Sequence, residues 1–85
     1  MNDEQKERQY IIFAMLISLF ERAYLLLYED TMSPKQARRW NSWDDYMHEW
    51  CRRKDFCAVL DRLLHGEDED FARHVRRIAT AEAGA

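Results

Sequence analysis

Glycine and proline are nearly missing from this chain: its 85 residues hold two glycines and one proline. A β-sandwich or barrel turns every few residues and builds those turns largely from glycine and proline. Their scarcity excludes a β-rich fold. Cysteine is just as scarce. Cys51 and Cys57 are too few for a disulfide framework and read as two reduced thiols of a cytoplasmic protein. One-sided charge is missing too, since 13 Lys and Arg face 16 Asp and Glu for a net charge of −3. That balance leaves no broad basic field, so nucleic acid is not an expected partner. A full-length apolar run is also lacking. The uncharged stretch Tyr10 to Phe20 is about half of the roughly 20 residues a bilayer span needs, and Glu21-Arg22 follow it. The opening MNDEQKERQ is polar and does not read as a signal peptide.

What the chain does contain is helix-forming and aromatic. Leu, Ala, Arg, Glu and Met are abundant, and aromatics make up 13% with three tryptophans. The expected fold is all-α: one domain over 1–85, with a long central apolar first helix and three shorter helices packed on it. The predicted helices cover about 3–29, 34–53, 56–65 and 68–80. The first carries two adjacent stripes at helical spacing. One is Ile12, Leu16, Leu19, Ala23, Leu26; the other is Phe13, Ile17, Phe20, Tyr24, Leu27. Two stripes exceed one amphipathic face, so this helix is expected to be covered from two sides. Ser33-Pro34-Lys35-Gln36 is a helix start with a capping box and proline at the first position. Trp40, Trp43, Met47 and Trp50 then mark the buried stripe of the second helix. Asp55 is the expected cap of the third, and Gly66 the left-handed residue past its end. The run 67–70 is acidic and opens the fourth, whose stripe is Phe71, Val75, Ile78, with fraying expected from Thr80 onward.

Phe20, Glu21, Ala23, Tyr24, Leu25 and Leu26 make a Phe-Glu-x-Ala-Tyr-Leu-Leu helix. Spaced Trp40, Trp43 and Trp50 follow, then Phe56, then Phe71 and Val75. In this pattern the chain resembles a loosely defined group of small bacterial helical proteins of unknown function. Their cytosolic helical domain often follows one or two membrane helices. The resemblance implies a helical fold and proximity to the inner face of a membrane. It implies no activity and no catalytic residues.

Other constellations are weighed against ordinary packing. His48, Cys51, Cys57 and His65 are weak zinc candidates, because the chain has none of the close Cys or His pair spacings that mark structural zinc sites. No metal or cofactor is expected. Glu21 and Arg22 point about 100° apart on the first helix. Glu21 is expected to pair with a cation of a neighbouring helix, or with Arg22 of a second chain. Three short helices are expected to leave part of the first uncovered, so a homodimer is expected. Its interface would draw on Ile12, Phe13, Leu16, Ile17, Phe20, Glu21, Arg22, Tyr24, Trp40 and Trp43. The leading expectation is therefore a non-enzymatic protein-interaction or scaffold module. Two others stand behind it: a small phage- or plasmid-encoded inhibitor of a host or defence protein, and a metal- or small-molecule-binding enzyme.

Overall fold

The computed structural model describes residues 2–84, and the described residues are helical without strands. There are five helices: α1 Asp3–Leu27, α2 Pro34–Cys51, α3 Lys54–Ala58, α4 Leu60–Leu64 and α5 Glu69–Ala83. The α1 rod of 25 residues is about 37 Å long at 1.5 Å per residue. It sets the long dimension of a 47 × 26 × 19 Å molecule.

Local chemistry places the helix starts. Asn2 caps α1 by accepting from the Gln5 N–H at 2.8 Å, and Gln5 returns the bond to Asn2. Ser33 and Gln36 form the expected capping box at α2, with Pro34 just inside. Gly66 is left-handed at φ +86°, as its place after His65 required. Asp68 accepts from the Phe71 N–H at 3.1 Å and starts α5.

Three expectations are corrected. The predicted third helix is two short ones, because the backbone breaks at Val59 (φ −114°, ψ 9°), so five helices replace four. Phe56 before the break and Leu60 after it are both buried in the core. Asp55 does not cap α3; Arg53 holds that place, without a side-chain bond. Asp55 instead accepts from Gln9 of α1 at 2.9 Å and from the Arg53 guanidinium at 2.8 Å. Finally, α5 does not fray at Thr80. It runs on to Ala83 because Glu82 is held by Arg52 and His48 of α2.

The core is aromatic at both ends. Phe13 meets Trp50 and Phe56 edge-on at 5.9 and 5.2 Å. At the other end Tyr24 meets Trp40 at 5.7 Å and Phe71 at 5.8 Å. Such contacts stabilise beyond the area they bury. Ile17, Met47, Leu63, Leu64 and Val75 fill the space between. Among the described residues no buried side-chain nitrogen or oxygen lacks a partner.

Candidate functional site

The two stripes of α1 have different fates. Phe13, Ile17 and Phe20 are buried, and Tyr24 and Leu27 are half-buried, so this stripe forms the core. It holds the aromatic residues, which remove the most apolar area from water. The other stripe is left largely outside. Ile12, Leu19 and Leu26 face solvent, and only Ala23 is fully buried. The expected two-sided cover is absent: α2, α4 and α5 all pack on the aromatic face.

The open face is more regular than the stripe reading suggested. Seven large apolar side chains are exposed among the described residues, and six lie on α1. They are Ile11, Ile12, Met15, Leu19, Leu25 and Leu26, each 47–76% exposed. Ile12, Met15, Leu19, Arg22 and Leu26 follow each other at steps of three and four, the spacing of a coiled-coil seam. Ile11, Ser18 and Leu25 flank that seam on one side. Leu16 and Ala23 flank it on the other, where the chain's own body half covers or covers them. A shallow apolar groove of about 780 Å³ runs along this face between Tyr10 and Arg22, with Trp50 at its edge. By length and composition α1 also suffices to cross a membrane, with mean hydropathy 1.8 over 18 residues.

The residues expected at an interface divide accordingly. Ile12 and Arg22 are exposed on the seam, and Leu16 lies beside it. Phe13, Ile17, Phe20 and Trp40 lie in the chain's own core. Tyr24 stacks on Tyr28 at 4.8 Å, and Trp43 packs edge-on against Phe20 at 6.4 Å. Met15, Leu19, Ile11 and Leu25 belong to the open face although the expected interface omitted them. The available signal was the three- and four-residue spacing of Ile12, Met15 and Leu19, with Leu26 seven further on.

Glu21 differs from expectation in its partners. It accepts the Asp68 backbone N–H at 2.6 Å, at the entry to α5. Beside it lies the Glu67 carboxyl, pushed up to about 7 by burial and by its hydrogen bond to Glu21. No cation pairs with Glu21 among the described residues' salt bridges, and Arg22 points outward instead.

The weak zinc candidates do not gather. His48 Nδ1 meets Glu82 at 2.6 Å, Cys51 is buried, and the Cys57 thiol donates to the Cys51 carbonyl at 2.9 Å. His65 sits in the exposed α4–α5 turn. Among the described residues no three His, Cys, Asp or Glu converge as a metal site would need. Burial lifts the Cys51 thiol to about 12 and raises that of Cys57. A network the sequence reading missed joins α2 to α5. His74 Nε2 meets Asp44 at 2.7 Å, and Arg52 donates to Glu82 at 2.8 Å, which holds the Glu82 carboxyl below its usual range. Tyr24, Tyr28 and Trp40 surround the His74 ring. The available signal was His74 on the flank of the Phe71–Ile78 stripe.

No family model matches this chain, and neither does a curated protein or a solved structure.

Proposed function

We propose that the protein is a non-enzymatic interaction module of bacterial origin that works in the cytoplasm and self-associates through α1. One observation carries the reading: six large apolar side chains stand exposed on a single helix whose opposite face already fills the core. Isolated exposed apolar residues are ordinary, whereas a contiguous apolar patch at coiled-coil spacing marks an association surface. The docking residues are Ile12, Met15, Leu19 and Leu26, with Arg22 among them. The test is light scattering behind size-exclusion chromatography at micromolar concentration, on the wild type and on Leu19→Glu. A dimer that Leu19→Glu converts to a monomer of unchanged helicity supports the reading; a wild-type monomer overturns it.

A second reading is favoured by the length and apolarity of α1, which would let the same face lie on a membrane. Vesicle flotation separates the two, because a membrane-docking face floats the wild type but not Leu19→Glu.

A further inference from the structure

We propose that the cleft between the first half of α1 and the α3–α4 pair binds a small amphipathic carboxylate, an acyl chain ending in a carboxyl group. The inference does not depend on the pairing of α1.

Two stripes line this cleft from opposite sides. Lys6, Gln9, Tyr10 and Phe13 share one face of α1. Asp55, Ala58, Val59 and Arg62 repeat the same spacing and keep it across the break at Val59. The cleft measures about 450 Å³. That lies within the roughly 300–1,000 Å³ of small-molecule sites. Tyr10 and Phe13 give it an aromatic wall. The opposite wall is low, since Ala58 ends at a methyl group and is exposed.

The polar groups of the cleft divide by whether they already have partners. Gln9 Nε2 donates to Asp55 at 2.9 Å, and the Arg53 guanidinium donates to both Asp55 oxygens at 2.8 and 3.1 Å. The bond from Arg53 holds the Asp55 carboxyl below its usual range. Asp55 is therefore a compensated charge. Lys6 and Arg62 are not: neither enters an ion pair among the described residues. Both are exposed at the mouth of the cleft, and Glu7 beside Lys6 does not line it. The Arg62 guanidinium lies over the Tyr10 ring, 4.3 Å from its centroid. A guanidinium stacked in this way keeps in-plane N–H donors for an acceptor.

An apolar wall with two uncompensated cations at its mouth selects a ligand with both properties. An acyl chain displaces water from Tyr10, Phe13, Ala58 and Val59, and its carboxylate meets Lys6 and Arg62. A sugar fits less well, because Gln9 and Asp55 already bond each other. A cationic amphiphile would meet two like charges.

Titration of the nitrogen-15-labelled full chain with sodium octanoate, followed by two-dimensional NMR, tests the proposal. Saturable shifts are expected at the Tyr10, Ala58 and Val59 amides. Binding should weaken roughly tenfold for Arg62→Gln, and by a similar factor when uncharged octanol replaces octanoate. Hexanoate, two methylenes shorter, should bind up to about fifteenfold more weakly. Ala58→Phe, at an exposed position, should fill the gap and abolish the shifts while circular dichroism and the melting temperature stay unchanged. Octanol binding as tightly as octanoate overturns the proposal. So do shifts confined to Ile12, Met15 and Leu19 on the open face, or no saturable shift at millimolar octanoate.

Discussion

Glu21 is a charged residue inside an apolar helix, and its partner is a backbone N–H of the loop before α5. The proton on neighbouring Glu67 makes the contact pH-sensitive. Its folded-state pKa of about 7 lies above its ordinary value of 4.5. Between those values the folded chain keeps a proton that the unfolded chain has lost. Stability should therefore fall as pH rises through that window. Glu67→Gln should flatten this slope and raise the melting temperature on its alkaline side, read by thermal melts across the window. The cysteines offer a second check at this scale. Cys57 is exposed, whereas Cys51 is buried with its thiol near 12. A thiol reagent should label only Cys57 in the folded chain, slowly because its own thiol is raised, and both residues after denaturation. The residue types here were legible in the sequence, but their partners were not. A backbone amide 47 positions away from Glu21 leaves no mark on the local pattern.

Among the elements, α5 shows what packing adds to propensity. Its stripe Phe71, Val75, Ile78 is buried as its spacing required, and its length was set by Glu82 reaching α2. Phe71 is fully enclosed. Phe71→Ala should cost about 3–5 kcal/mol, the range for a buried aromatic cut to alanine. A chain this small has only roughly 4–13 kcal/mol in all. Urea denaturation should then find the variant marginal or unfolded, whereas Leu19→Glu on the open face keeps the monomer's stability. The α3–α4 break was not legible, because no glycine or proline marks Val59. Phe56 on one side of it packs against Phe13 and Trp50, and Leu60 on the other side is buried as well.

At the scale of the whole molecule, one rod joins two hydrophobic surfaces. The inner one closes a small core, which in a domain of this size is thin. The outer one leaves Ile11, Ile12, Met15, Leu19, Leu25 and Leu26 exposed. Pairing would stabilise the fold through mass action, so the melting temperature of the wild type should rise with protein concentration while that of Leu19→Glu should not. Calorimetry over a concentration series reads this directly, and a concentration-independent wild type would contradict the dimer.

Helix content, the capping box at Ser33, the left-handed turn at Gly66 and the presence of two apolar stripes on α1 were determined by the sequence alone. Each depends on residues within a turn or two of one another. Tertiary structure alone decided which stripe of α1 went inside, where Glu21 found its hydrogen bond, and that His74 meets Asp44. Those outcomes depend on shape and charge brought together from distant positions. The stripe with the aromatic rings won because it buries more apolar area against the tryptophans of α2. The seam from Ile12 to Leu26 is what that choice left on the surface.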